Sequence, residues 1–174
     1  MASIIPASNS PEEPWLRGPL EGVHPLLAPT IHAYMQASED LARWTEGLTP
    51  DQIWKRPQGL APVGFHLRHI AGSVERLTAY LRGEQLTPAQ IDAGHRELEP
   101  GASRDELLRA VQESLLSSER TIRALDVATL SAPRAVGRKR LPTTVAGLLV
   151  HLAEHTQRHV GAAIVTAKLA RAED

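Results

Sequence analysis

The chain contains no cysteine. That absence excludes a disulfide framework, a thiolate nucleophile of the protein's own, and every zinc or iron–sulfur site built on cysteine. Any metal ion has to be held by His, Asp or Glu. Aromatic residues are scarce as well, 3% of the sequence against 42% for hydrophobic residues as a whole, so Leu, Ala, Val and Ile must build the core. Residues of this kind suit helix packing better than a β-sandwich, which draws on aromatic and β-branched side chains. Neither charge dominates: 19 Lys+Arg stand against 20 Asp+Glu, a net charge of -1 over 174 residues. A general polyanion binder needs surplus Lys and Arg to displace counterions, so nucleic acid is not an expected partner. No apolar run approaches the roughly 20 residues of a membrane span. Residues 1–14 lack the basic and apolar segments of a signal peptide. These absences lead us to expect a cytoplasmic protein with no membrane partner.

The length suits one domain, and we expect an irregular lead-in over residues 1–19, rich in Pro, Ser and Glu, followed by a single domain over 20–174. Apolar residues Leu27, Ile31, Tyr34 and Leu41 recur at helical spacing over 25–45. Thr49 and Pro50 read as N-cap and first position of one short helical turn before the 57–62 breaker. A second long helix is predicted over 63–82, ending at Gly83. Ser103 and Glu106 fit a capping box, and Leu107, Val111, Leu115, Ser118, Ile122 and Leu125 then recur at steps of three and four. After a loop rich in Pro, Gly and basic residues, Thr143 or Thr144 caps a last helix reaching about residue 171. No strand pattern is convincing. Four long helices joined by connections long enough to cross over make an all-α, four-helix bundle, with the order of the helices left open.

Histidine is what this sequence has in plenty, eight residues in all. Five of them fall in two windows, His66 and His69 in the second long helix and His151, His155 and His159 in the last. On the last helix the apolar stripe through Leu148, Leu152, Ala163 and Thr166 takes in His155 and His159. A lone histidine on such a stripe is usually an ordinary hydrogen-bonded core residue. Two at a separation of four stand one above the other, about 5–6 Å apart at Cβ, and can converge on one ion. His151 to His159 spans roughly 12 Å of helix rise, so one ion cannot take all three. A pair from one helix and a single His from a facing helix would leave open positions, as catalytic sites do.

The windows Val63-Gly64-Phe65-His66-Leu67-Arg68-His69-Ile70-Ala71 and Leu149 through His155-Thr156-Gln157-Arg158-His159-Val160-Gly161 resemble the DinB-like superfamily of damage-inducible and thiol-transferase-related bundles. The family's histidine five residues after a small-residue helix start falls on His69, and its His-x-x-x-His pair on His155 and His159. The family's closing His-Arg-Gly-Gln departs here to His159-Val160-Gly161-Ala162. The resemblance implies a four-helix bundle holding one divalent metal through His69, His155 and His159, and often a homodimer. His66 and His151 lie close in helical angle to these ligands. They would stand behind them, replace one of them, or face the substrate. Ser73 and Arg76, four and seven residues beyond His69, share its face and are candidates for a metal-bound water and an anionic substrate respectively.

Two competing signals are weaker. His151-Leu152-Ala153-Glu154-His155 matches the H-x-x-E-H signature of inverted zinc peptidases, but such matches arise cheaply in a histidine-rich helix, and Glu154 reads as a surface charge paired with Arg158. Arg134, Arg138, Lys139 and Arg140 read as a solvated loop. The expected function is that of a metal-dependent enzyme, zinc being the expected ion with nickel or iron as alternatives. Resemblance to thiol S-transferases favours thiol transfer to a small-molecule substrate, with a low-molecular-weight thiol as cosubstrate because the chain has none. Hydrolysis, or a non-catalytic bundle stabilised by metal in a stress response, are the alternatives. Imidazole ligands must be neutral to bind, so affinity is expected to fall below about pH 6.5.

Overall fold

A computed structural model describes residues 12–172. The expectations for residues 1–11 lie outside that range. Trp15 and Leu16 do not anchor the described part of the lead-in, for both are exposed. Pro14, just before them, is buried instead, and a bidentate ion pair from Arg17 to Glu39, with N–O distances of 2.6 and 2.8 Å, adds to the anchoring.

Six α-helices follow among the described residues: α1 (Ala28–Trp44), α2 (Pro50–Trp54), α3 (Val63–Leu81), α4 (Pro88–His95), α5 (Arg104–Arg123) and α6 (Val145–Ala172). Their ends are set by local chemistry. Pro29 sits in the first turn of α1, where its missing N–H removes no intrahelical bond. Thr49 with Gln52 and Ser103 with Glu106 close reciprocal capping boxes at α2 and α5. Thr144 Oγ1 accepts from the Gly147 N–H at 3.0 Å to start α6. Gly83, just past α3, takes a φ of 83°, which glycine adopts without Cβ strain.

Two features depart from the sequence reading. The link after α3 contains α4, which no apolar periodicity announces because none of its residues is buried. The loop before α6 holds a two-stranded antiparallel hairpin, β1 (Pro133–Val136) and β2 (Leu141–Thr144). Its strands are too short for alternation to register, and the Ala132 and Leu130 carbonyls, accepting from Val145 and Ala146, tie its base to α6.

Four helices form the bundle. α1 packs on α5 and α6, and α3 packs on α5 and α6. Consecutive long helices α1 and α3 therefore lie on one diagonal, and α5 and α6 on the other. Cross-helix hydrogen bonds give the directions. Thr30 to the Leu149 carbonyl and Arg171 to the Trp44 carbonyl make α1 and α6 parallel. His69 with His155 and Thr166 with the Ala61 carbonyl make α3 and α6 antiparallel. Tyr34 with Ser118 and Arg104 with the Thr45 carbonyl make α1 and α5 antiparallel. The order is up, down, down, up. Because α3 and α5 run the same way, the link between them has to travel back along about 28 Å of bundle, and this return path lays residues 84–103 against the outside of α3.

The core contains the predicted stripe of α5, Leu107, Val111, Leu115, Ser118 and Ile122, with Ile31, Tyr34, Leu67, Ile70, Leu148 and Leu152 opposite it. Ser118 is the polar member. Its Oγ lies 2.9 Å from the Tyr34 hydroxyl and 2.7 Å from Thr78 Oγ1, so three helices share one satisfied hydrogen-bond chain. Gly64, the small residue at the start of α3, has a packing reason: a Cβ there would stand 2.8 Å from the Trp54 ring.

Candidate metal centre

The antiparallel seam between α3 and α6 brings the two histidine windows together. His69 Nε2 and His155 Nε2 are 2.9 Å apart. The His159 ring lies 4.3 Å from that of His69 and 4.7 Å from that of His155. One nitrogen from each of the three lies within 4.8 Å of the others, and all three side chains are partly buried at the edge of the core. Two ring nitrogens bound to one ion at about 2.05 Å would stand about 2.9 Å apart at a right angle and about 3.3 Å apart at a tetrahedral one. The observed pair fits such a cation, just as it fits a shared proton. The group is able to hold a metal ion.

Glu97, which nothing in the sequence reading singled out, stands behind His69. Its Oε2 lies 2.6 Å from His69 Nδ1, and its Oε1 accepts from Arg76 at 2.7 Å. A carboxylate at Nδ1 fixes the proton there and turns the Nε2 lone pair toward the cluster, the usual support for a metal-binding histidine. Burial works to raise the Glu97 pKa, but the hydrogen bonds and electrostatic influence of His69 and Arg76 outweigh it and hold the carboxyl below its ordinary range. Two glycines make the room. A Cβ on Gly72 would meet Arg76 Nη1 at 2.7 Å and Glu97 Oε1 at 2.9 Å, and one on Gly94 would meet Arg76 Nη1 at 3.4 Å. Arg76, expected to face substrate, is thus engaged with Glu97. Glu97 was illegible because 28 residues separate it from His69 and only the return path beside α3 joins them.

Of the other candidates, His66 is buried and its Nδ1 lies 3.1 Å from His159 Nδ1. One of these two nitrogens donates and the other accepts, so the proton that the pair shares lies between the rings and not toward the cluster. His151 lies outward, with Nδ1 2.6 Å from Glu154 Oε1. Glu154 also pairs with Arg158, the i, i+4 partner expected. Ser73 is buried and its hydroxyl donates to the Ile70 carbonyl at 3.2 Å. Phe65 covers the cluster, stacked on His69 at 5.3 Å and edge-on to His66 and His159.

This apolar cover has an electrostatic consequence. Burial first, and then the influence of His69, bring the pKa of His66, His155 and His159 down to about 4. Near neutrality these rings are uncharged, the form that carries a lone pair for a metal. For His155 and His159 this lies well below the ordinary value near 6.5 on which the sequence reading relied.

The fold and this seam can be set beside known proteins. A sequence model described as the DinB superfamily matches residues 33–163. The chain belongs to the DinB superfamily. The match takes in α3 and all three clustered histidines of α6, and ends two residues after Gly161. A search among curated proteins finds no match. In this DinB-superfamily bundle no described helix is long and apolar enough to cross a membrane.

Proposed function

We propose that the protein binds one divalent metal ion through His69, His155 and His159 and catalyses thiol-dependent S-transfer to a small electrophilic substrate, as a cytoplasmic homodimer. Zinc is the expected ion, with nickel or iron as alternatives. The observation that carries the reading is the convergence of three partly buried imidazoles with a carboxylate fixing the proton of one of them. When bound, a divalent ion with open positions lowers the pKa of an incoming thiol so that it is nucleophilic near neutrality. With no cysteine in the chain, the sulfur comes from a low-molecular-weight cosubstrate. Phe65 keeps water from one side of the cluster, and Glu97 and Arg76 hold His69 in place. Hydrolysis is less well supported, because Glu97 and Glu154, the carboxylates beside the cluster, are both engaged in ion pairs rather than free to take a proton from water. A purely structural metal is also less well supported, since the cluster sits at the core's edge.

Metal analysis of the untagged protein tests the first step, with about one divalent ion per chain expected. A protein that cannot be loaded ends the reading. His155→Ala should lose the ion and keep the melting temperature of the metal-free fold. Collapse of the fold instead would favour the structural alternative. A screen of thiols against electrophilic acceptors should then show turnover that a chelator abolishes, and thiol-independent turnover would favour hydrolysis.

A further inference from the structure

The two ring nitrogens of His155 are placed unequally. Nε2 faces His69, whereas Nδ1 is buried with no hydrogen-bond partner. A neutral imidazole has one N–H and one lone pair. A proton on Nδ1 would be a buried donor without an acceptor, so the proton belongs on Nε2, donated to His69 Nε2, whose own proton is held at Nδ1 by Glu97. The chain from Glu97 through His69 to His155 is satisfied at every step and ends on an unused lone pair at His155 Nδ1.

Two further donors lie on the same helix. The His151 ring is 5.1 Å from that of His155, and His151 is already in contact with Glu154. One ligand atom from each of His151, Glu154 and His155 falls within 4.8 Å of the others. The His151 and Glu154 side chains are 45% and 41% exposed, so a cation from solvent can reach them.

We infer that His151, Glu154 and His155 form an outer station for a divalent cation, sharing His155 with the inner triad. The part of this inference that concerns competition between the two rests on the reading of the inner triad as a metal site. A neutral His155 has one lone pair, so it serves the outer station through Nδ1 or the inner one through Nε2, and the two occupancies exclude each other. Passage inward requires the ring to lose its proton at Nε2 and gain one at Nδ1, with no net change. The H-x-x-E-H match thereby acquires a meaning other than a peptidase signature: donors at i, i+3 and i+4 on one helical face, with Glu154 as ligand rather than base. Arg158 holds the second oxygen of Glu154, which keeps the outer station weak and suits it to transient loading.

Cobalt(II) titration of the full chain, followed by visible absorption and metal analysis, tests this. The His69→Ala/His159→Ala double variant removes the inner triad and is expected to bind one Co²⁺ per chain more weakly than wild type. Adding His151→Ala should weaken that binding at least about tenfold, the effect of losing one supporting group in a metal site. Glu154→Gln in the double variant, an exposed and nearly isosteric change, should do the same, with circular dichroism confirming the fold of each. Wild type should saturate at one ion per chain. Equal Co²⁺ affinity in the double variant with and without His151 and Glu154 overturns the outer station. Two simultaneous ions in wild type overturn the exclusion. Unaltered Co²⁺ affinity on removing His69 and His159 overturns the inner site instead.

Discussion

Glu97→Gln isolates the contribution of a residue that touches no metal on any reading. The carboxylate has two jobs, accepting from His69 Nδ1 at 2.6 Å with one oxygen and from Arg76 at 2.7 Å with the other. An amide has one acceptor and one donor, so either His69 or Arg76 must face an N–H. If His69 does, its proton is driven to Nε2, the atom that points into the cluster, and the ring cannot bind without losing it. If Arg76 does, a guanidinium whose side chain is only 18% exposed loses its counter-charge and its hydrogen bond. Groups in this position commonly change metal affinity by about 10–100-fold, which is about 1.4–2.7 kcal/mol. The assay is zinc competition against a chromophoric chelator near neutral pH, with thermal melts of the metal-free variant to show that the bundle is intact. An affinity within about twofold of wild type, a difference of only about 0.4 kcal/mol, would refute the argument that Glu97 orients His69.

Gly72→Ala should weaken metal binding by up to about tenfold while replacing no ligand and neither Glu97 nor Arg76, because the new Cβ would stand 2.7 Å from Arg76 Nη1 and 2.9 Å from Glu97 Oε1 and disturb their pairing. Unaltered affinity in the same competition assay would show the pair to be dispensable. Tyr34→Phe should destabilise the fold by about 0.5–1.5 kcal/mol in chemical denaturation, the net worth of the hydrogen bond to Ser118, while leaving metal affinity unchanged. Acid should destabilise the metal-free protein between about pH 6.5 and pH 4: the folded-state pKa values of His66, His155 and His159 lie near 4, below the unfolded value near 6.5, so in that window the unfolded chain binds more protons and stability rises with pH. A melting temperature that rises on acidification through that window would contradict the burial of these rings.

Much of this protein was determined by sequence alone, because the features concerned are periodic or local. The stripe of α5 from Leu107 to Ile122, the caps at Thr49, Ser103 and Thr144, and the stop at Gly83 depend on residues within a turn or two of one another. The pairing of His155 with His159 is local in the same sense, since four residues make one helical turn. Tertiary structure decided what lies across helices. Which helices are neighbours follows from burying every apolar stripe at once, and that packing set α3 beside α6 so that His69 meets His155. It also required the return path beside α3 that delivers Glu97 and engages Arg76. The protonation of the cluster belongs to the fold as well: an isolated imidazole titrates near pH 6.5, and only burial in the packed seam, then the influence of neighbouring rings, brings His66, His155 and His159 to about 4.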